Sequence, residues 1–249
     1  MTAPVPYLAR FLAPHLRPGS ALLDCGSGDG ALTIGLAGMV APGQVTGIDA
    51  DSRQVERARA LAAQRQVPGV RFDVGDVRNL VFRDASFDAA WCSFTLEHLP
   101  DPLQALRELR RVLKSGGVLG ILDYDYGVRV MAPQNALLEE SRELYVRHRL
   151  HEGSSPLYAH DQRQLLLEAG FARTEGFAFS PCWGGADATR GFAGVQVQMW
   201  QEPTVGGEIV RRGWVDQAKA DAMIAEWKAW GERREAFAVA LTCAAIGWV

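Results

Sequence analysis

Between residues 20 and 125, short apolar runs alternate with amphipathic stretches of helical period, and this alternation restricts the chain to parallel βαβ units. Strands are predicted at Ala21–Cys25, Gln44–Asp49, Val70–Val74, Phe87–Ser93 and Val118–Asp123. Between them, "DSRQVERARALAAQ" opens on an Asp-Ser cap and places Val55, Ala58, Leu61 and Ala62 on one face. "DPLQALRELRRVLKSGG" starts with Asp101 and Pro102 and stops at glycines. Both read as surface helices on a sheet.

After residue 130 the pattern changes to longer helical stretches. Helix is predicted over 133–150, then in "HDQRQLLLEAGF", where Asp161 offers a cap and Gly170 a stop. A strand follows at about 174–182, residues 187–233 read as helical, and "EAFAVALTCAAIGWV" closes the chain as an apolar strand. A helical insertion thus separates the last two strands. Its Trp200, Trp214, Trp227 and Trp230 form either an aromatic substrate wall or a small helical core, core packing being the simpler reading.

The 249 residues, 48% hydrophobic and 22% charged, suit one globular domain with a continuous core. A net charge of -3 with interspersed signs offers no basic field for nucleic acid and no polybasic membrane patch, which leaves a small molecule as the expected partner. Cys25, Cys92, Cys182 and Cys243 form no C-x-x-C pair and are expected as buried free thiols in a reducing, cytoplasmic setting. No apolar run reaches the roughly 18 residues a membrane span needs, and proline and arginine interrupt "MTAPVPYLARFLAPHLRPG". Neither export nor membrane anchoring is expected.

The first strand ends in "LLDCGSGDG". Gly26 to Ala31 satisfy the loose G-x-G-x-x-G/A dinucleotide pattern, so a nicotinamide-dependent dehydrogenase enters consideration. Glycines there let the backbone approach a ligand, and a helix start presents free N–H groups. Pyrophosphate would meet two repelling carboxylates, Asp24 and Asp29. S-adenosylmethionine fits better, since its ammonium and sulfonium are cationic and its one carboxylate can still take backbone N–H groups. In "VTGIDAD", Asp49 ends the second strand 21 residues past Gly28, where a carboxylate can accept both ribose hydroxyls of either cofactor, with Ala50 beside it. "VRFDVGDVRNL" places Asp76 to accept an adenine amine, with Val77 against the ring, and "FDAAWCSFTLEHLPDP" continues the fourth strand into a loop beside the ligand. Asp24, Asp29 and Asp76, and the lack of a Tyr-x-x-x-Lys, weigh against the dehydrogenase. A cofactor-binding regulatory module without turnover stays open.

These elements, with "LKSGGVLGI", resemble the class I S-adenosylmethionine-dependent methyltransferases, in particular the ubiquinone and menaquinone biosynthesis group, over residues 20 to 125. The resemblance implies a doubly wound, mostly parallel seven-stranded α/β sheet of order 3-2-1-4-5-7-6 with the last strand antiparallel. It also implies S-adenosylmethionine as methyl donor and S-adenosylhomocysteine as product. Asp24 and Gly26, with Ser27 and Gly28, would serve the amino-acid end, Asp49 and Ala50 the ribose, Asp76 and Val77 the adenine, and the backbone of Cys92 and Ser93 the methionine. Beyond residue 130 the match thins; where relatives often carry Gly-Arg, this chain has Ala159-His160. The resulting expectation is a single domain over 1–249: an N-terminal helix at 1–19, a cofactor core at 20–130, and a helical lid from 131–170 and 187–233.

Methyl transfer is an in-line displacement that chiefly requires alignment and exclusion of water, with a base as an option. In "GILDYDYG", Asp123 and Asp125 alternate onto one side of a strand end, roughly 7 Å apart, and are expected near the acceptor as base or binding groups, as is Tyr126 with Tyr124 as alternate. The plainer reading of the pair is capping, or pairing with Arg129. His98 and Glu97 in "LEHLPDP" are expected to hold the loop; His148, His151 and His160 read as solvated; Tyr7 is a further candidate for ligand contact. No metal is expected. The acceptor is expected to be a small, ring-containing biosynthetic metabolite, methylated on O, N, S or C, with O favoured, and the helical insertion is the candidate oligomer surface.

Overall fold

The strands predicted up to residue 93 form where the apolar runs stand. In the computed structural model, which describes residues 7–249, they are β1 (Ala21–Cys25), β2 (Gln44–Asp49), β3 (Val70–Val74) and β4 (Phe87–Ser93). β1 runs parallel to both β2 and β4, with Leu23 opposite Thr46 on one side and Ala90 on the other. Leu22, Leu23, Cys25, Ala90, Trp91 and Cys92 are fully buried, the run of burial that a parallel strand covered on both faces requires.

The helices between them follow their caps. α1 (Ala31–Val40) begins at Gly30, α2 (Ser52–Arg65) is capped by Asp51 accepting from the Arg53 N–H, and α3 (Pro102–Val112) by Asp101 accepting from the Gln104 N–H. β5 (Leu113–Ala132) is much longer than the predicted Val118–Asp123, because Tyr124, Tyr126, Val128 and Val130 keep the aromatic and β-branched alternation going past the apolar run. The chain continues through α4 (Ala136–His151), α5 (Gln162–Glu168), β6 (Arg173–Phe179), β7 (Cys182–Trp183), α6 (Ala186–Gln201), α7 (Gly206–Arg211), α8 (Gln217–Gly231) and β8 (Phe237–Trp248). The mixed sheet has the order β3-β2-β1-β4-β5-β8-β6, mostly parallel with antiparallel strands at one end. This is the expected order; the two-residue β7, antiparallel to β8, only shifts the numbering of the last strand.

Three local expectations are corrected. Over the described part of the N-terminal segment there are two short 3-10 turns, Tyr7–Ala9 and Ala13–His15, in place of a helix, since Pro14 and Pro18 interrupt any α-helical ladder. Asp161 makes no side-chain cap to α5; its carboxylate lies 3.7 Å from His160 instead. Cys182 is exposed, whereas Cys25 and Cys92 are buried.

The chain divides into two compact units. One comprises residues up to Asp123, Tyr158–Phe177 and Cys243–Val249; its core includes Ile48, Leu106, Leu109 and Leu119 with Leu166 and Phe171. The other comprises Tyr124–Leu157 and Ala178–Thr242, with a core of Leu138, Trp200, Met223, Trp227 and Trp230. Three of the four tryptophans of the insertion are thus core, and Trp214 packs against them. No helix among the described residues is long and apolar enough to cross a membrane.

Ser141 on α4 sets the polar order of that second core. Its buried hydroxyl accepts from the indole N–H of Trp200 at 2.6 Å and of Trp227 at 3.1 Å. Ser141→Ala would strand two buried donors, so urea denaturation is expected to report a loss of about 2–5 kcal/mol for a change of one oxygen atom.

Candidate functional site

The loop after β1 is fixed by close backbone approach. Gly26 sits at φ +75°, and its N–H and that of Ser27 donate to the Ile48 carbonyl at 2.8 and 2.9 Å. A Cβ on Gly26 would lie 1.8 Å from Thr95 Oγ1. Thr95 cannot easily yield, because its hydroxyl donates to the Ser93 carbonyl at 2.9 Å. Gly28, by contrast, has φ +52° and open space where a side chain would go. Its N–H donates to Asp49 Oδ2 at 2.9 Å, while Asp49 Oδ1 accepts from the Asp51 N–H at 2.9 Å. Asp49 therefore sits against the glycine loop, with Ala50 next to it at the end of β2.

Asp24 is buried at the end of β1 and accepts from Thr33 Oγ1 of α1 at 2.6 Å. Burial pushes its carboxyl up to about 7, the Thr33 hydrogen bond opposes this, and the charge of Asp49 adds to it. Ser27 is buried, and its hydroxyl has no hydrogen-bond partner. The loop thus combines two carboxylates that repel each other, a hydroxyl in want of a partner and an open glycine face. A cation with an adjoining polar group suits that set.

Asp76, just past β3, is gripped by Arg78, with the guanidinium at 2.8 Å and the backbone N–H of Arg78 also at 2.8 Å. The Arg78 bonds hold its carboxyl below the usual range, so it is an ionised acceptor with lone pairs to spare. Val77 is buried in the core that contains Ile48 and Leu80. Cys92 is fully buried, and burial pushes its thiol up, which leaves it neutral and non-nucleophilic. Ser93 accepts from the Trp91 indole at 3.1 Å. Phe94 follows at φ +50°, a left-handed conformation held by its N–H to the Leu122 carbonyl at 2.8 Å. The side chain of Tyr7 lies outside the described residues.

The acidic pair of β5 has two different environments. Asp123 is fully buried and accepts from the Thr95 N–H at 2.9 Å and the Glu97 N–H at 3.4 Å, while the Tyr158 hydroxyl donates a short bond to Oδ2. Burial raises its carboxyl well above the usual range, and the neighbouring Glu97 raises it further. Gln162 extends this network from Tyr158 to the Cys243 carbonyl at 3.3 Å. Asp123 thus secures the turn of the "TLEH" segment, the capping alternative of the sequence reading, and Arg129 is not its partner. Asp125 belongs to the other unit, accepts from the Gly127 N–H at 2.8 Å and lines a cavity of about 390 Å³ together with Tyr124 and Tyr126.

His98 lies 3.5 Å from the buried Glu97. His148, expected to be solvated, is buried, and burial lowers its pKa. Thr33, Thr95, Tyr158 and Gln162 were not anticipated. Tyr158 stands 35 residues from Asp123 with no motif joining them, and only the fold brings the two together.

Residues 23–121 match the family model of a methyltransferase domain. The chain is 28% identical to "Probable methyltransferase ltbC" of Aspergillus luteorubrus over 96% of its own length and 89% of that protein. It is 38% identical to the 27-O-demethylrifamycin SV methyltransferase of Amycolatopsis mediterranei over 51% of its length and 45% of that enzyme. Against the demethylmenaquinone methyltransferase of Staphylococcus aureus the identity is 39% over 43% of this chain and 44% of the relative, so the matches to these two enzymes span less than half of their lengths. The solved structure of the YcgJ protein of Bacillus subtilis shares the fold at a TM-score of 0.63, with 20% identity over 97% of each chain. Residues 23–121 are thus similar to a methyltransferase domain, and the chain is distantly similar to demethylmenaquinone methyltransferase and other small-molecule methyltransferases.

The glycine geometry predicts an asymmetry within one loop. Gly26→Ala, with a clash against Thr95 and a positive φ, is expected to lower the melting temperature sharply and abolish cofactor binding. Gly28→Ala, with only backbone strain to absorb, is expected to cost about 1 kcal/mol in the same melts.

Proposed function

We propose that the protein transfers the methyl group of S-adenosylmethionine to an oxygen, nitrogen, sulfur or carbon atom of a small, ring-containing molecule, with oxygen the favoured atom. The observation that carries this reading is the pairing of Asp24 and Asp49 around the Gly26–Gly28 loop beside the unpartnered Ser27 hydroxyl. Two carboxylates there attract an ammonium and repel a pyrophosphate, which separates this site from a nicotinamide site. The choice of oxygen is supported by the relative named for a 27-O-demethylated rifamycin; the relative named for demethylmenaquinone keeps carbon in view.

When bound, the cofactor supplies an electrophilic methyl group on a sulfonium. In this reading Asp49 accepts from the ribose hydroxyls, Asp76 accepts from the adenine amine, and Asp24, ionised, faces the ammonium. The backbone of Gly26, Cys92 and Ser93 lines the methionine end, held in place by Thr95 and Asp123. Asp123 is then a positioning residue. Asp125 and Tyr126, on the wall of the cavity of the second unit, are the residues proposed to meet the acceptor, with Asp125 as base where the nucleophile needs one. Residues 187–233 are proposed to serve the acceptor as a lid.

Calorimetry with S-adenosylhomocysteine and NAD tests the cofactor, and methyl transfer to a metabolite extract tests turnover. Asp49→Ala is expected to weaken S-adenosylhomocysteine binding about tenfold or more, the equivalent of roughly 1.5–3 kcal/mol for charge-assisted contacts; equal binding of NAD would overturn the assignment. The pH dependence has two opposite signs. In the ligand-free protein the carboxyl of Asp24 is raised from 3.8 to about 7, so its contribution to stability is complete below pH 4 and lost as pH rises through 7. Affinity for S-adenosylhomocysteine should instead rise up to about tenfold from pH 6 to pH 8 as Asp24 ionises, and Asp24→Asn should flatten both curves. A pH-independent affinity would remove Asp24 from the ammonium.

A further inference from the structure

The cavity of the second unit has a chemistry narrower than the proposed function demands. Its volume of about 390 Å³ suits one or two fused rings. Trp183 and Phe192 stack on its wall at 4.5 Å, and Tyr126 packs between Tyr124 and Tyr145 at 5.9 and 5.4 Å. Val128 and Val195, half exposed or more, line the same cavity and keep its rim apolar. Flat aromatic faces on several sides favour a planar ring over an aliphatic chain.

The polar groups on that wall differ in what they still need. Each nitrogen of Arg142 has a partner: Nε donates to Glu139 Oε1 at 2.6 Å, one terminal nitrogen donates to the Tyr126 carbonyl at 2.6 Å, and the other pairs with Glu139 at 2.5 Å. Asp125 accepts from the Gly127 N–H and lies on the same wall. Arg129 is different. Its side chain is only 9% exposed, one terminal nitrogen donates to the Leu138 carbonyl at 2.9 Å, and the shared Glu139 stands 3.6 Å away. The guanidinium lies 5.1 Å from the Trp227 ring, and its buried Nε has no hydrogen-bond partner. Burial pushes its pKa down to about 10, so at neutral pH it remains a cation that is poorly solvated and short of an acceptor.

We propose that this cavity binds an aromatic carboxylate or acidic phenol, with the ring held between Tyr126 and the Trp183–Phe192 stack and the oxyanion taken by Arg129. As the methyl acceptor, this ligand rests on the methyltransferase reading; as a ligand of the cavity, it stands without it. Arg129 is then a specificity-determining residue. It fixes one end of a flat acid, so the substituent to be methylated lies elsewhere on the ring.

The test is calorimetry on the full chain with three probes: 2-naphthoate, its neutral counterpart 2-naphthamide, and cyclohexanecarboxylate, which keeps the charge and loses the aromatic ring. 2-Naphthoate is expected to bind with a Kd of about 0.1–1 mM, and each of the other two at least about tenfold more weakly, on the scale of one lost charge-assisted contact or one lost aromatic contact. Arg129→Gln should bring 2-naphthoate down to the level of 2-naphthamide while leaving 2-naphthamide within about twofold, and Arg129→Lys should restore part of the difference. Equal binding of naphthoate and naphthamide to the unaltered protein, or binding of neither, would overturn the proposal even if the Arg129 variants failed to fold. S-adenosylhomocysteine, titrated in parallel, keeps the two readings apart. If it binds and naphthoate does not, the acceptor class is wrong and the cofactor reading stands; the reverse pattern upholds the cavity and removes the methyltransferase reading.

Discussion

The contact of Gly26 with Thr95 is the constraint on which the cofactor side depends. A glycine at φ +75° lets the chain turn so tightly after β1 that its N–H reaches the end of β2 and its α-carbon abuts a threonine beyond β4. Three strand ends are tied together at one point. Thr95 is in turn fixed by Asp123, whose carboxylate accepts from its N–H, so the glycine loop and the "TLEH" turn form one mechanical unit. The open face of Gly28 and its bond to Asp49 follow from that closure: with Gly26 pinned, the next glycine is carried to the carboxylate that ends β2.

Burial gives the carboxyl groups of the first unit distinct tasks. Asp24 lies near the end of β1 and Asp123 in the middle of the long β5, and both are withdrawn from water, yet their partners differ. Asp24 has one hydroxyl and a neighbouring charge, which leaves it near the point of ionisation at neutral pH. Asp123 has two backbone N–H groups and a tyrosine, a set that satisfies its oxygens and assigns it to structure. Asp76 is exposed enough to keep its charge and is steadied by Arg78. Equal residue types thus acquire unequal protonation behaviour from desolvation and hydrogen bonding.

In the second unit the division of labour is among aromatics. Trp200, Trp227 and Trp230 are buried against α4, with Ser141 absorbing two of their N–H donors, and that packing supplies the rigidity a short helical assembly otherwise lacks. Trp183, Phe192 and the tyrosines near β5 are left to face a cavity. Arg129 touches both sets, lying over Trp227 while lining the cavity.

Period and punctuation determined most of the first unit. Apolar runs bounded by Gly, Asp and Pro placed β1 to β4 and α2 and α3, and the known handedness and order of such sheets did the rest, because local pattern and global topology agree there. The placement of the loop glycines and of Asp49 was legible for the same reason: it follows from position along the chain. Capping and length were less legible. Asp161 precedes a helix without capping it, and β5 continues past its apolar run, since neither a cap nor a strand end depends on local sequence alone. What only the tertiary structure decided is the fate of groups whose partners are remote in sequence. Nothing near Asp123 announces Tyr158, nothing near Trp227 announces Ser141, and the alternation that puts Asp123 and Asp125 on one side of a strand is silent about how deeply each is buried. Sequence spacing encodes direction along an element; desolvation depends on what the rest of the chain brings against it, and for a carboxylate or an indole N–H desolvation decides the role.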